Sequence, residues 1–410
     1  MKKILFLLGM YYPRYSANGL CTKNVIDELA REGYGVRCIC NGHKMSGKQE
    51  YVDGARLYYI KPRLYQILNE KADTTRNIRY KCFLQRTSAI LSKVQLAFMA
   101  IWWPFVSPIY ALRFYQKAKK LYKEEKYDVL VSVYTPFESL LAGFMLKKKF
   151  PEIKFIPYYL DALAGGWGPS FFSQEKIEKH TQRWEKKIDE LADWVISMNS
   201  SKEYHEEKVL CRREKRLFLD VPVMKRPYKC DMQEQFALYA GSLNFKGRDI
   251  KKLLDIFSAL SAKVEIKLLL AGACNDTKIF EQYEKKTKGK IKYLGMLDHV
   301  DILNMEKKAK YLVNLGSNNP YTIPSKIFEY MRFGKTIIST FQTEEEPSIE
   351  YLNKYKNVIY IDERQPIEES VKNLLKEMKM KKAVENIDLE KVFYYNTPKA
   401  FLDVIRGLDK

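Results

Sequence analysis

The sequence predicts an α/β protein built from two doubly wound domains, and three observations predict it. Short continuous apolar runs recur along the whole chain, as strands buried on both faces of a parallel sheet require. Stretches with apolar residues at helical spacing separate those runs, so strand and helix alternate in both halves. A length of 410 residues, 46% apolar and 30% charged, is enough for two or three folded domains and excludes disorder and collagen.

The elements follow in order. The run 4–8 reads as a first strand, not a secretory leader. It is too short, no small-residue cleavage site follows, and Tyr11-Tyr12-Pro13-Arg14 breaks it. A loop over 13–19 leads into a helix with Cys21, Val25, Ile26, Leu29 and Ala30 on one face; Gly33 stops it, and 36–40 completes a βαβ unit. Buried-strand runs follow at 128–134, 155–160 and 194–198. A second series opens with a strand at 236–240, a helix at 250–260 and a strand at 264–270. It continues with strands at 291–294, 311–315, 336–339 and 358–361. The boundary falls where Pro222 and Pro227 sit among basic residues. The first domain is therefore expected over 1–225 and the second over 226–395, with a C-terminal helix over 396–410 returning to the first. No internal repeat is present.

Lys plus Arg outnumber Asp plus Glu by 71 to 50, and the net charge of +21 calls for an anionic partner: nucleic acid, a membrane surface or a phosphorylated substrate. The excess concentrates in 61–126, with fourteen basic and four acidic residues. Inside it, 94–112 carries no charge (VQLAFMAIWWPFVSPIYAL). Basic flanks around an aromatic apolar stretch suit a membrane interface, with Trp102, Trp103 and Tyr110 at headgroup depth. Pro104 and Pro108 oppose one straight spanning helix. The competing reading packs the stretch against the sheet as a helical hairpin. Charge clustered beside an apolar segment disfavours a nucleic-acid-binding protein. Seven Cys at irregular spacing and only four His read as reduced, buried thiols in a cytosolic protein, with no metal site. Cys38 and Cys40 fall on the same face of a strand.

The segment 318–339 (NNPYTIPSKIFEYMRFGKTIIS) carries the most chemistry. Pro324 fits a first helical turn, and Ser325 and Glu329 share one helix face. A hydroxyl, the Lys326 ammonium, a carboxylate and the free N–H groups of a helix start suit a diphosphate and a ribose diol. The same residues also suit an ordinary amphipathic surface helix.

Pro-Ser-Lys-Ile-Phe-Glu-Tyr-Met followed by Gly-Lys-Thr-Ile-Ile resembles the donor-binding segment of glycosyltransferases of the B-type (GT-B), two-Rossmann fold, close to family 4. The similarity spans the chain. Tyr239-Ala-Gly-Ser-Leu-Asn-Phe-Lys-Gly247 stands where the family has a Gly-rich loop, and Ile291-Lys-Tyr-Leu-Gly295 resembles the strand and glycine beside the base. Ser-Ala-Asn-Gly, ending at Gly19, resembles the loop after the first acceptor-domain strand, and Tyr158-Tyr-Leu-Asp-Ala-Leu163 resembles the strand end carrying an Asp.

The resemblance implies two Rossmann-like domains facing a central cleft. It implies donor contacts from Gly19, Gly241, Ser242, Lys246, Arg248, Tyr293, Gly295, Pro324, Ser325, Lys326 and Glu329. It implies catalytic roles for Asp161 at the acceptor hydroxyl and for Lys246 and Lys326 at the leaving diphosphate. No Asp-x-Asp motif occurs, so no metal is expected; the nucleotide sugar is a substrate, and no cofactor is implied. Tyr321 replaces one of two acidic residues common in relatives, Ser242 replaces a frequent Arg and Leu160 a frequent His. Lys246 keeps the second basic position of the Gly-rich loop, and Arg248 replaces the lost charge. The implied activity is retaining transfer of a sugar to a hydroxyl of a lipid-linked glycan in surface polysaccharide synthesis, at the inner face of the cell membrane. The alternatives are a nucleotide-sugar epimerase of the same fold and a non-catalytic, membrane-bound scaffold. Among the other polar residues, His299 is expected at the surface and Glu344-Glu345-Glu346 in a solvated loop, while His43 takes no role.

Overall fold

The apolar run at the start of the chain forms strand β1 (Lys3–Leu7), and Ile4, Leu5, Phe6 and Leu7 are fully buried because strands and helices cover both faces. The computed structural model describes residues 2–13, 15–42, 47–75, 77–100, 103–104, 106–163, 168–169, 171–208, 213–225, 227–228, 230, 233–243, 250–274, 276–316, 323–380 and 387–408, with the backbone alone at 213 and 299. They form two units, Met1–Pro222 with Pro398–Lys410, and Val223–Thr397.

In unit 1, β1 is followed by α1 (Ala17–Arg31), β2 (Gly35–Asn41), β3 (Gln49–Val52), β4 (Ala55–Ile60), α2 (Leu64–Thr74), α3 (Ile78–Met99) and α4 (Pro108–Glu124). Then come β5 (Val129–Tyr134), α5 (Phe137–Lys149), β6 (Lys154–Tyr159), α6 (Gln174–Leu191), β7 (Val195–Met198), α7 (Lys202–Lys208) and β8 (Arg216–Leu219). The sheet order is β3-β4-β2-β1-β5-β6-β7-β8, parallel throughout except for the β3–β4 hairpin. Asp53 and Gly54 make that hairpin's turn with φ of 55° and 77°, the double positive φ that a two-residue type I′ turn requires.

In unit 2, the elements are β9 (Glu234–Ala240), α8 (Ile250–Ser261), β10 (Lys267–Ala271), α9 (Lys278–Lys286), β11 (Ile291–Tyr293), α10 (His299–Lys308) and β12 (Ala309–Asn314). They continue with α11 (Lys326–Met331), β13 (Thr336–Phe341), α12 (Ser348–Tyr355), β14 (Val358–Asp362), α13 (Ile367–Met380) and α14 (Leu389–Val392). The order β11-β10-β9-β12-β13-β14 is wholly parallel. Both units are thus doubly wound Rossmann-like sheets, and the strand order reverses between β1 and β5 in the first and between β9 and β12 in the second. The last helix, α15 (Pro398–Gly407), belongs to unit 1: Phe401 packs on Phe6 and Tyr158, and Arg406 pairs with Glu32 at 2.6 Å.

Four expectations are corrected. The strand expected over 264–270 begins at Lys267, because the Val264 N–H donates to Leu260 and closes α8, while Ile266 is buried by packing without pairing. Residues 94–112 are not one surface segment: α3 ends at Met99, α4 starts at Pro108 under a Ser107 cap, and Trp103 and Tyr110 are only 6% and 1% exposed. The Tyr110 ring lies under the Arg63 guanidinium, which pairs with the fully buried Glu138, so burial wins for these two aromatics; Trp102 lies outside the described residues. Cys21, Cys38 and Cys40 are buried free thiols, but Cys82 and Cys230 are exposed. Glu346 is buried and accepts a hydrogen bond from the Ser348 hydroxyl, so it is no part of a solvated loop.

Most of the exposed apolar side chains of the basic segment lie on α3, with Leu64, Ile109 and Leu112 on its neighbours. Phe83, Ile90 and Phe98 are 62%, 62% and 76% exposed. With Tyr80 and Val94 they form one stripe at helical spacing. Arg79, Arg86 and Lys93, seven residues apart, line one edge of it, and α3 contains no acidic residue. It follows α2, the helix that leaves the carboxyl end of β4.

Candidate active site

In unit 2 the suspected site residues gather at the carboxyl ends of the strands. The Tyr330 hydroxyl accepts a hydrogen bond from the Ala240 N–H at 3.2 Å, tying α11 to the end of β9 at the strand-order reversal. Gly241 follows directly and donates its N–H to the Ala271 carbonyl, while Ser242 is exposed and its carbonyl accepts from the Tyr239 hydroxyl. Gly272, with φ of 141°, sits so close that a Cβ would come within 1.8 Å of the Gly241 oxygen. Its N–H donates to Gly295, and its carbonyl accepts from the Tyr293 hydroxyl at 2.7 Å. Tyr293 stacks on Phe280 with ring centres 4.8 Å apart. The loops after β9, β10 and β11 are therefore one connected edge. Lys246 and Arg248 lie outside the described residues, as do Tyr321 and His43.

The helix carrying Ser325, Lys326 and Glu329 is shorter than expected. Helix α11 starts at Lys326, and Ser325 precedes it without capping it through its side chain. Pro324 lies one residue further out, so it shapes the approach to the helix and is not its first residue. Six residues give little cumulative dipole. The charge here comes from side chains.

The Lys326 ammonium sits 2.8 Å from Glu306 and 2.8 Å from Glu329. Burial by itself lowers its pKa, but these two carboxylates outweigh that and hold it above the ordinary lysine value. Glu306 is fully buried, and burial pushes its carboxyl up to about 7, with Glu329 adding to the rise and Lys326 opposing it. Lys335 is 2% exposed, and its ammonium donates to the Glu306, Lys307 and Ala309 carbonyls at the end of α10. A cation capping the last carbonyls of a helix is favourable. Here it ties the end of α10, and with it Glu306, to the segment leading into β13.

Sequence reasoning missed Glu306, Lys335, Tyr330 and Gly272 as site-building residues. One signal for Glu306 existed: it occupies an inward position of α10, in phase with Ile302 and Ala309, where an apolar residue is the norm.

In unit 1, Asp161 lies just past β6 with its carboxylate exposed, and Asn18 in the first turn of α1 donates to it at 2.7 Å and to the Tyr134 carbonyl at 3.2 Å. Asn18 thus joins the ends of β5 and β6 beside the strand-order reversal of this sheet. Gly19 is corrected from a loop residue to a helical one: its N–H donates to the Ser16 cap, and a Cβ would come within 2.5 Å of the Met10 carbonyl. Its place in α1 is set by packing. Nearby, Tyr15 and Lys23 converge on Asp53 and anchor the loop after β1.

Two parallel Rossmann-like sheets, each with polar residues at its carboxyl edge, define a glycosyltransferase-like fold. Solved structures of that fold match along their full length. The lipopolysaccharide outer core galactosyltransferase WaaB, in its apo form, is 16% identical with a TM-score of 0.56 and 99% of each chain covered. HepE from Anabaena, in complex with UDP and glucose, is 13% identical with a TM-score of 0.59 and 100% of each chain covered. A putative UDP-N-acetylglucosamine 2-epimerase from Listeria monocytogenes is 13% identical with a TM-score of 0.57, over 100% of this chain and 97% of that one. No protein-family model and no curated protein matches the sequence.

Proposed function

We propose that the protein is a glycosyltransferase that moves a sugar from a nucleotide-sugar donor to a hydroxyl of a lipid-linked glycan acceptor in surface polysaccharide synthesis. The observation that carries this reading is the Glu306–Lys326–Glu329 cluster of unit 2, formed where α11 begins. Lys326 supplies a cation for the leaving diphosphate and Glu329 a carboxylate for the ribose hydroxyls. Lys246 and Arg248 complete the diphosphate contacts, Gly241 and Ser242 let the donor approach the backbone, and Tyr293 and Gly295 border the base. In the reaction the sugar–diphosphate bond breaks with its electron pair on the diphosphate, and the acceptor oxygen bonds the anomeric carbon and gives up its proton. We assign to Asp161 the orientation of that hydroxyl or the uptake of its proton. Cationic side chains do the work of a metal here, the sugar keeps its anomeric configuration, and transfer persists in chelator.

Solved epimerases share the fold, so the deciding experiment follows the products. Incubation with a nucleotide sugar and a lipid-linked acceptor should release nucleoside diphosphate and glycosylate the acceptor. Appearance of an isomeric nucleotide sugar instead would make the protein an epimerase. For the donor site itself, Glu329→Gln should weaken binding of a nucleoside by about tenfold or more, the value of a charged hydrogen bond of about 1.5–3 kcal/mol. Unchanged nucleoside affinity by calorimetry would remove Glu329 from the ribose.

A lipid-linked acceptor explains the surface of α3. No helix among the described residues is long and apolar enough to cross a membrane. An exposed apolar stripe edged by basic residues instead suits lying in the headgroup layer at the inner face of the cell membrane, with each basic residue adding about 1 kcal/mol on anionic lipid. The full-length protein should sediment with anionic vesicles at low salt and be released as salt rises. Phe83→Ser, Ile90→Ser and Phe98→Ser together should abolish sedimentation and leave the melting temperature unchanged, since all three side chains are largely exposed. Vesicle binding that survives the triple variant would assign the membrane contact elsewhere.

A further inference from the structure

Glu306 has no task in the reading above beyond contact with Lys326, yet its burial is costly. One carboxylate oxygen accepts from the Lys326 ammonium at 2.8 Å, and the other, Oε2, is buried with no hydrogen-bond partner among the described residues. A half-satisfied buried carboxylate is a poor structural device, because an apolar side chain of the same size fills the space without that penalty. The groups facing it are Lys326 and Glu329 from α11, Lys335 ahead of β13, and the phenols of Tyr330 and Tyr228. Lys335 donates to three carbonyls, and Lys326 donates to the Glu306 carboxylate.

We propose that Glu306 is a positioning residue of the donor site: it seats the Lys326 ammonium for the donor diphosphate and takes up a proton as that diphosphate binds. The inference rests on the donor reading of this site. With Glu306 and Glu329 both ionised, the three-residue cluster carries a net charge of −1, which opposes a second anion. A proton on Glu306 neutralises the cluster and frees the field of Lys326 for the diphosphate. The proton comes from solvent and returns to it on release. Burial, reinforced by Glu329, holds the Glu306 carboxyl at about 7, so both forms are populated near neutral pH.

The test is calorimetry of UDP-glucose binding to the wild type, Glu306→Gln and Glu306→Leu at pH 6, 7 and 8, in two buffers of different ionisation enthalpy. The diphosphate diester of this probe does not itself titrate across that range. Wild type should bind up to about tenfold more tightly at pH 6 than at pH 8, with proton uptake above pH 7, as linkage to one group titrating near 7 requires. Glu306→Gln keeps an acceptor for Lys326 but cannot titrate; it should match wild type at pH 6 and show a flat profile. Glu306→Leu should lose about tenfold on UDP-glucose at pH 6 and nothing on uridine, because only the diphosphate needs the ammonium. A flat wild-type profile, a slope that persists in Glu306→Gln, or full affinity in Glu306→Leu overturns the proposal and leaves the donor reading standing. If Glu306→Leu does not fold, Glu306→Gln decides alone. Failure of the wild type to bind UDP-glucose, ADP-glucose and GDP-mannose overturns the donor reading, and this inference with it.

Discussion

Replacing Arg216 with Met is expected to destabilise unit 1 by about 3–5 kcal/mol, because it strands two buried carboxylates. Arg216 opens β8, and its guanidinium meets Asp189 and, at 3.1 Å, Glu185, both on α6 and both fully buried. It also donates to the Ser197 hydroxyl at 2.6 Å. The Tyr159 hydroxyl donates to Asp189 at 2.9 Å, and His205 meets Glu185 at 2.6 Å. Burial pushes the Asp189 carboxyl well above its ordinary range even with Arg216 opposing the shift, and Glu185 adds to the rise. Without the guanidinium that carboxyl rises further. A carboxyl whose folded pKa exceeds its unfolded one binds more protons in the native state, so the stability it costs appears as pH rises above the unfolded value near 4. The Arg216→Met deficit should therefore be largest above neutral pH and shrink towards pH 5. All five Trp (102, 103, 167, 184 and 194) belong to unit 1, so urea unfolding followed by tryptophan fluorescence reads this unit alone. A deficit below about 1 kcal/mol at pH 8 would show that the network contributes little beyond shape.

The alternation of strands and helices was legible because the central strands are buried on both faces. Ile4 to Leu7, Val129 to Val133 and Phe236 to Ala240 contain no exposed residue, and Ser132, itself buried, is the one small polar residue among them. The elements that escaped are those at the margins. Strand β3 is a four-residue edge strand with alternating exposure, and its Asp53-Gly54 turn was the usable signal. Within 94–112, average composition hid the fact that Trp103 and Tyr110 are buried while Phe98 and the earlier turns of α3 carry the exposed stripe. At the site, Pro324, Ser325, Lys326 and Glu329 stood out because they lie within six residues of one another. Glu306 is twenty residues from Lys326, and only the folded chain brings them together. The only local trace is a carboxylate at an inward position of α10, which does not name its partner. The pairing is also what decides how much positive charge Lys326 can offer a ligand.

Lys326→Met is expected to lower sugar transfer by about 10²–10³-fold, the usual cost of deleting one group aimed at a charge that develops in the transition state. The aliphatic part of Met refills the space of the lysine stem, so packing against α11 is kept. The cost to folding is limited near neutral pH because Glu306, whose carboxyl burial has already pushed up to about 7, takes a proton when its cation is lost. The variant should thus fold at pH 6 to 7 and weaken as pH rises, the sign set by a carboxyl with a raised pKa. Its affinity for nucleoside diphosphate should fall by about tenfold, less than its turnover falls, because the ammonium is needed most as the sugar–diphosphate bond breaks. Combining it with Glu306→Gln separates the two effects. The double variant removes the stranded carboxylate and should recover stability at pH 8, while turnover stays as low as in Lys326→Met alone. Recovery of turnover along with stability would mean that Lys326 serves only to neutralise Glu306, and the diphosphate role would then pass to Lys246 and Arg248.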